Sequence, residues 1–341
     1  MGTRTSDISS AVGNLLLGKL ELAGSEVPPL ASVTGDHARR FWQALGLPSV
    51  PPSEKVYTRR DVEALRFTAS LINGEPSGGV GPDREMLLQM TRATGQALSR
   101  VAHMHVLSIS DEIAAITRDA ALSNNEAADR IAALAEALVR GYEPFLGYIW
   151  RRHLFASISQ IVAGASGQMG RAESTTVGFA DLVGYTAITL KLSDHEIVDI
   201  VDRFEKIAYQ EIPERGGRVI KTLGDEVMFS NSNPHAAAAT ALALAAACSA
   251  DPVLPDVRVG LAAGPMLAWE GDFYGPTVNL ASRLGGIATP GTVIVSDDFA
   301  DKLADDEAFT LIEIRGVKLK GIGKTKPWVL RPRTPAKPGR R

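Results

Sequence analysis

Two aspartates stand where the sequence pattern predicts that their carboxylates can meet. Asp181 lies at the end of an apolar run, predicted as a strand over 175–182, and Asp225 lies at the tip of a predicted hairpin with Gly216 and Gly217 at its base. Taken singly, each aspartate is interpreted as a turn or capping residue. If the strand and the hairpin are neighbours, the pair can hold hard cations that clamp a polyphosphate.

A third segment, over 271–283, brings three polar side chains together at a turn that leads into a predicted helix. Asp272 lies in the turn, and Asn279 and Arg283 lie in the helix. Because the last two are four residues apart, they project from one helical face. The segment therefore presents an acid, an amide and a guanidinium within a short stretch of chain.

The second half of the chain alternates strand and helix signals, and their order favours an α+β layer in which a sheet carries helices on one side. The predicted strands cover 175–182, 219–223, 227–230, 257–263, 266–269, 292–296, 310–314 and 328–331. The predicted helices cover 193–212, 234–249 and 278–287.

The first half of the chain is predicted to be helical throughout, because nothing in it alternates like a strand. The segment 82–117 predicts one long helix or two in tandem. A further pair is predicted over 126–139 and 141–163, with Asn124 and Asn125 as caps. The second member is apolar on several faces, so we expect it to be buried or to pair with a partner helix.

A change of composition to glycine, alanine, serine and arginine predicts a linker between the two halves. The predicted organisation is an all-helical domain (1–164), a linker (165–175), a domain of strands and helices (176–331) and a basic, proline-rich tail (332–341).

Bulk properties exclude several classes of protein. The formal net charge is -3, so the chain lacks the excess of positive charge that attracts nucleic acid, and no nucleic-acid partner is expected. The single cysteine, Cys248, permits no disulfide framework and is compatible with a reducing compartment. No stretch approaches about 18 consecutive apolar residues or has the pattern of a signal peptide. We therefore expect a cytoplasmic protein with no membrane span.

Together, these segments resemble the catalytic domain of class III adenylyl and guanylyl cyclases, from about Thr176 to Leu330. Several separate motifs match in the family's order. The sequence departs from the family's pattern where many relatives have histidine, in the strand segment 257–264, and at Pro276, where Asn or Asp often stands. The resemblance implies an α+β, ferredoxin-like catalytic domain with a mixed sheet and helices, preceded by an all-α regulatory domain.

The resemblance also implies a reaction and a role for each polar residue. The reaction is the conversion of ATP to 3′,5′-cyclic AMP and pyrophosphate at a site with two Mg²⁺ or Mn²⁺ ions. The implied roles are metal binding by Asp181 and Asp225, adenine recognition by Lys221 and Asp272, ribose orientation by Asn279, stabilisation of charge at the phosphorus by Arg283, and binding of the terminal phosphates by Lys320. For Lys320, a solvated cluster with Lys318 and Lys324 is the alternative interpretation.

In this family, two catalytic domains facing each other supply complementary parts of each site. This chain carries every role in one domain, so the resemblance implies a homodimer with two equivalent sites. The helical half resembles, less specifically, the regulatory domain of mycobacterial pH-sensing cyclases that can bind fatty acids. It therefore implies a dimerising module that responds to pH or to a fatty acid or other lipid, with His153 the best-placed histidine for such a response.

Two alternatives from other classes stay open. A guanylyl cyclase is disfavoured by Lys221 and Asp272, because guanine presents the opposite hydrogen-bonding polarity to an ammonium donor and a carboxylate acceptor. A catalytically silent, nucleotide-binding signalling module is disfavoured because silent relatives generally lose metal or transition-state residues, and these are all present here.

Overall fold

The computed structural model of the chain describes residues 2–48, 50–75, 79, 81–119, 121–163, 172–269 and 272–333. The chain divides into two compact units, Met1–Gly164 and Ala165–Arg341. Among the helices in these ranges, none combines the length and the apolar character that a membrane crossing requires.

The N-terminal unit is built from helices, with one small pair of strands. Its helices are α1 (Gly2–Leu17), α2 (Val27–Ala31), α3 (Gly35–Leu45), α4 (Arg59–Ile72), α5 (Arg84–Leu107), α6 (Ser110–Arg118) and α7 (Asn124–Ala163). The strands β1 (Leu22–Ala23) and β2 (Lys55–Tyr57) pair antiparallel. Two- and three-residue strands are too short to show a period of two, which is why sequence analysis predicted none. The segment predicted as one helix or two forms two, α5 and α6.

Small apolar clusters hold these helices together. Phe41 of α3 packs with Val62 and Leu65 of α4 in one cluster, and Leu65 is fully buried. Ile8 of α1 packs with Ile131 of α7 in another. Each helix contributes the apolar side chains of one face to such a cluster. This explains why apolar residues in this half recur at helical spacing and do not alternate with polar ones.

The last helix of this unit, α7, differs from the prediction. It is one continuous helix of 40 residues with Pro144 inside, where sequence analysis predicted a pair. Its start is stabilised by Ser123, the residue before it: the Ser123 N–H donates to Glu126 Oε2 at 2.9 Å, and the Glu126 N–H donates to Ser123 Oγ at 3.3 Å. Its second half exposes large aromatic side chains, including those of Phe145 and Trp150.

The C-terminal unit is an eight-stranded mixed sheet with helices. Its elements are β3 (Ala172–Leu182), α8 (Tyr185–Thr189), α9 (Asp194–Glu214), β4 (Arg218–Leu223), β5 (Glu226–Asn231), α10 (Pro234–Ala250), β6 (Val257–Trp269), β7 (Asp272–Tyr274), α11 (Pro276–Ile287), β8 (Val293–Val295), α12 (Asp297–Asp301), β9 (Phe309–Glu313), β10 (Val317–Leu319), β11 (Gly323–Thr325) and β12 (Trp328–Pro332). The strand order is β4-β5-β3-β6-β8-β12-β9, and β7 pairs with the outer part of β6. The β6–β8 pair is parallel and the other pairs are antiparallel, while β10 and β11 form a separate hairpin.

Helices cover both faces of this sheet, so the predicted one-sided arrangement is wrong. Phe204 of α9 and Leu244 of α10 pack in one core with Leu182 of β3. Ala281 of α11 packs on the opposite face with Phe179 of the same strand. The central strands carry apolar residues at consecutive positions, and such strands need cover on both sides.

The contact between α11 and the sheet is unusually close. A Cβ atom placed on Gly260 of β6 would lie 2.2 Å from the carbonyl oxygen of Ala281 and 2.2 Å from the amide nitrogen of Gly285. Only glycine leaves room for the helix backbone at this point. Gly260 therefore sets the distance at which α11 lies on the central strands.

Candidate active site

The central strands place three charged side chains in one row. In the register of the sheet, Asp181 of β3 lies directly opposite Glu226 of β5 and directly opposite Arg258 of β6. Residues directly opposite one another share a face of the sheet. That face also carries Phe179 and is the one on which α11 packs.

Asp225 joins this row through the turn between β4 and β5. The turn has two residues, and Gly224 at its first central position has φ +65°, as a type II′ turn requires. The Leu182 N–H donates to the Asp225 carbonyl oxygen at 3.0 Å, which ties the hairpin tip to the end of β3. The Asp181 and Asp225 side chains lie within hydrogen-bonding reach, so the structure brings the first two predicted site residues together.

Burial and mutual repulsion disfavour the charged forms of these acids. Burial raises the pKa of Asp225, and the neighbouring Asp181 raises it further. Burial also raises the pKa of Glu226, with further contributions from Asp181 and Asp225. The compensating charge comes from Arg258, whose Nε donates to Asp181 Oδ2 at 2.7 Å and whose Nη2 lies 2.5 Å from the same oxygen.

Sequence analysis missed Arg258 and Glu226 as members of this site. The only signal was a charged residue within the predicted strand 257–263, Arg258, and one directly before the predicted strand 227–230, Glu226. Pairing those strands with 175–182 would have placed both residues beside Asp181. Arg258 and Glu226 were missed because no local sequence pattern shows which strands are neighbours in the sheet.

The composition of the row fits a divalent cation. Carboxylate oxygens are the donors that Mg²⁺ and Mn²⁺ prefer, and a cation would relieve the repulsion that raises the pKa of Asp225. Within the described ranges, no group of three or more His, Cys, Asp or Glu side chains is arranged to hold a metal ion by itself. Two aspartates alone leave most coordination positions of such a cation open to other oxygen ligands, as is usual for Mg²⁺.

Lys221 and Asp272 form an ion pair in which Lys221 Nζ donates to Asp272 Oδ2. Lys221 lies on β4 and Asp272 begins β7, so the pair joins two elements that are 51 residues apart in sequence. The Phe273 N–H donates to Asp272 Oδ1 at 2.8 Å, and the guanidinium of Arg218 lies 5.9 Å from the centre of the Phe273 ring. A hydrogen-bond donor and an acceptor thus lie side by side.

Asn279 and Arg283 lie on the exposed face of α11, opposite its buried residues Ala281 and Leu284. Within the described part of the chain, neither side chain has a hydrogen bond or an ion pair. The structure therefore keeps these two predicted residues on one helical face, and no such contact links them to the acidic row.

Lys320 lies in the turn between β10 and β11, where the Ile322 N–H donates to the Leu319 carbonyl oxygen at 3.2 Å and Gly321 has φ +81°. Its side chain is exposed. Lys318 and Lys324 are cross-strand partners in the same hairpin and are exposed as well. The structure thus places Lys320 in a basic hairpin whose Leu319 packs against Leu284 of α11.

Comparisons with a family model and with similar proteins agree on one protein family. Residues 168–332 match the family model for the adenylate and guanylate cyclase catalytic domain. The chain is 30% identical over 337 residues to an adenylate cyclase of Glutamicibacter nicotianae, an alignment that covers 95% of this chain and 82% of that protein. An adenylate cyclase of Streptomyces coelicolor is 34% identical over 273 residues, with 80% and 69% covered. A pH-sensitive adenylate cyclase of Mycobacterium tuberculosis is 30% identical over 277 residues, with 78% and 66% covered.

Proposed function

This chain belongs to the class III adenylate and guanylate cyclase family, and from that premise we propose that it converts ATP to 3′,5′-cyclic AMP and pyrophosphate. Three relatives at 30–35% identity are adenylate cyclases, which supports ATP over GTP. The observation that carries the proposal is the ion pair of Lys221 and Asp272. The ammonium can donate to N1 of adenine and the carboxylate can accept from the exocyclic amine, whereas guanine offers the reverse polarity at both positions.

Asp181 and Asp225 are the residues proposed to hold two Mg²⁺ or Mn²⁺ ions. Such ions favour the deprotonated ribose 3′-hydroxyl and offset the negative charge of the phosphates. Arg258 keeps the Asp181 carboxylate in a fixed orientation through its two contacts to Oδ2. The two aspartates and the nucleotide phosphates together provide the oxygen ligands that such ions need.

The reaction joins the 3′-oxygen to the α-phosphorus, breaks the bond to pyrophosphate and releases the 3′-hydroxyl proton to solvent. We assign Asn279 to orientation of the ribose. Arg283 stabilises the negative charge that develops on the α-phosphate oxygens, a task suited to a planar and permanently charged guanidinium. Lys320 binds the terminal phosphates, and the exposed turn of its hairpin gives the side chain the freedom to reach them.

Two copies of the chain are proposed to share each site. Asn279 and Arg283 are exposed on α11 and have no side-chain partner among the described residues, so they are available to a nucleotide held by the carboxylates of a second copy. Apolar side chains around the β6–β7 pair, those of Leu267, Trp269 and Tyr274, are also exposed. Exposed apolar patches of this kind commonly mark a protein interface.

The N-terminal unit is proposed to regulate the reaction in response to pH or to a lipid such as a fatty acid. The similarity to the pH-sensitive relative covers 78% of this chain and so reaches beyond the C-terminal unit. The ring of His105 on α5 lies 3.9 Å, centre to centre, from the ring of Tyr142 on α7. Protonation of a histidine in such a contact changes how two helices pack. Replacing His105 or His153 by Gln should flatten the dependence of activity on pH; unchanged profiles for both variants would exclude them as sensors.

The proposed reaction is tested by product formation from ATP and, in parallel, from GTP with Mg²⁺ or Mn²⁺. The expected result is cyclic AMP from the wild type and none from Asp225→Ala, with a matched surface variant, Asp202→Ala, retaining activity because its contact to Lys206 is exposed. Cyclic GMP as the main product would support the guanylyl alternative. No product under any condition would favour the silent module. A cytoplasmic location, where ATP is abundant, is part of the proposal.

A further inference from the structure

A cavity of about 570 Å³ lies between α11 and the β10–β11 hairpin of the C-terminal unit. Leu280 and Leu284 of α11 and Val317 of β10 form its apolar part. None of the seven residues assigned above to metal, nucleotide or phosphate binding lines it. Cavities of this size accommodate small organic molecules.

Three lysines also line this cavity: Lys318, Lys324 and Lys326. Within the described part of the chain, none of them forms an ion pair. Lys318 and Lys324 lie directly opposite one another in the antiparallel hairpin. Like charges in directly opposite positions destabilise a strand pair, and a bound anion would remove this repulsion.

Two carboxylates limit the kind of anion that can bind. Asp297 and Asp298 line the same cavity, although Asp297 Oδ1 already accepts a hydrogen bond from Trp328 Nε1 at 2.9 Å. A polyanion would be repelled by these carboxylates as well as attracted by the lysines. A molecule with one acidic group at one end, and an apolar body for the leucines, matches both parts of the lining.

Thr325 provides an independent indication of a ligand. Its hydroxyl oxygen is buried and has no hydrogen-bond partner among the described residues, and the residue lines the cavity. A buried hydroxyl without a partner is unfavourable and uncommon in native proteins. The oxygen itself is not exposed to the cavity, so the Thr325 side chain would rotate about its Cα–Cβ bond for an oxygen atom of a bound ligand to accept this hydrogen bond.

We propose that this cavity binds a small organic anion with an apolar body. Lys318 and Lys324 hold the acidic group, Leu280 and Leu284 contact the body, and the Thr325 hydroxyl donates to the ligand. The site goes beyond the proposed function, since it does not use the nucleotide residues. Such a ligand would contact both α11, which carries Arg283, and the hairpin that carries Lys320; any effect on turnover through them rests on the proposed function.

The proposal is tested with 8-anilinonaphthalene-1-sulfonate, a fluorescent aromatic anion, titrated into the full-length chain without nucleotide. We expect saturable binding that weakens about tenfold in the double variant Lys318→Ala/Lys324→Ala, because two charge-assisted contacts are lost. The control is Lys191→Ala/Lys302→Ala, which removes two exposed lysines elsewhere. The neutral analogue N-phenyl-1-naphthylamine should bind both double variants equally.

A second variant tests the hydroxyl. Thr325→Val keeps the shape of the side chain and removes a group that lacks a partner, so we expect an unchanged or higher melting temperature and several-fold weaker binding of the sulfonate probe. No saturable binding to the wild type would overturn the proposal. Equal binding by the wild type and both double variants would also overturn it, because the probe would then occupy another surface. Since no turnover is measured, neither outcome depends on whether the chain makes cyclic AMP.

Discussion

At the scale of single residues, the acidic row shows how neighbouring charges are balanced. Cross-strand register places Arg258 on one side of Asp181 and Glu226 on the other. Asp181 therefore has a guanidinium and a carboxylate as its neighbours in the row. Burial is the largest effect on Asp225 and raises its pKa, while the nearby Arg258 lowers the pKa by a smaller amount. The folded protein therefore binds a proton at Asp225 more readily than the unfolded chain does.

The sign of this effect gives a prediction for Asp225→Asn. Because the folded pKa is raised, ionised Asp225 lowers stability at pH values above that pKa, and the penalty disappears as the pH falls below the normal pKa of the unfolded chain. Without divalent cations at neutral pH, the variant should melt at a higher temperature than the wild type. The difference should shrink when melting is measured at acidic pH.

The same variant tests cation binding without an activity assay. With Mn²⁺ at about one hundred times its Kd, the wild type should gain about 2.7 kcal/mol of stability, whereas Asp225→Asn should gain little. Asp202→Asn, on the exposed part of α9, serves as a control and should respond like the wild type. Equal stabilisation of all three proteins would show that the cation does not bind at Asp225.

Cys248 gives a second prediction at this scale. It is the only cysteine of the chain and is fully buried in the core beneath α10. Burial raises its pKa to about 12, so almost no thiolate is present near neutral pH. Ellman's reagent at pH 8 should therefore react slowly with the folded protein and release about one equivalent at once in guanidinium chloride. Prompt reaction in buffer would contradict the described packing of α10.

At the scale of elements, α11 connects the sheet to the proposed chemistry. One face of the helix packs on the central strands through Ala281 and Leu284, while the other presents Asn279 and Arg283. Its distance from the sheet is fixed by Gly260, because any side chain there would meet the helix backbone. A small change in the core of the unit therefore moves residues that we assign to the nucleotide.

We predict that Gly260→Ala destabilises the unit by about 2–3 kcal/mol, the usual cost of overpacking a close contact. Activity should fall by more than the loss of folded protein explains, because α11 must shift away from β6. Denaturant unfolding and activity per folded molecule measure the two effects. The control is Gly286→Ala on the exposed face of α11, where an added Cβ meets nothing within 4 Å, and it should stay within about 1 kcal/mol of the wild type. Similar unfolding midpoints for both variants would contradict the packing.

At the scale of the whole molecule, the proposal depends on assembly. Among the described residues of one chain, ion pairs connect Asp181 with Arg258 in the acidic row and Lys221 with Asp272. Asn279 and Arg283 have no side-chain partners among these residues. In the proposed arrangement, one chain supplies the metal carboxylates of a site and the other supplies its adenine and transition-state residues, so a monomer would have no complete site. A homodimer with twofold symmetry would provide two complete sites.

Mixing two inactive variants tests this arrangement. Asp181→Ala and Arg283→Ala should each be inactive alone, and a dimer containing one of each should have one intact site. With equal amounts and random pairing, about a quarter of the wild-type activity should return, since half of the dimers are mixed and each has one of two sites.

The control for this experiment mixes Asp181→Ala with Asp225→Ala. Both changes affect the carboxylate side of the site, so every site in a mixed dimer would lack one of the two acids and no activity should return. Recovery in the control, or none in the first mixture, would contradict sharing of the site between two chains.

Local sequence patterns determined much of this protein. The alternation of strands and helices predicted the α+β class, and the predicted hairpin arms 219–223 and 227–230 placed Asp225 at the tip between them; the structure agrees on both. The pairing of Lys221 with Asp272 was implied by the family resemblance, and the structure brings the two side chains into contact. The class and the hairpin could be predicted because periodicity and turn chemistry act over a few neighbouring residues.

Only the tertiary structure decided the rest. Strand register places Arg258 and Glu226 beside Asp181, and the packing of α11 puts helices on both faces of the sheet. The cavity beside the β10–β11 hairpin also exists only because distant segments meet. A shift of one residue in register would turn each of these side chains to the other face, and register is fixed by packing between segments far apart in sequence. The sequence therefore determined which groups could react, and long-range packing determined which of them are neighbours.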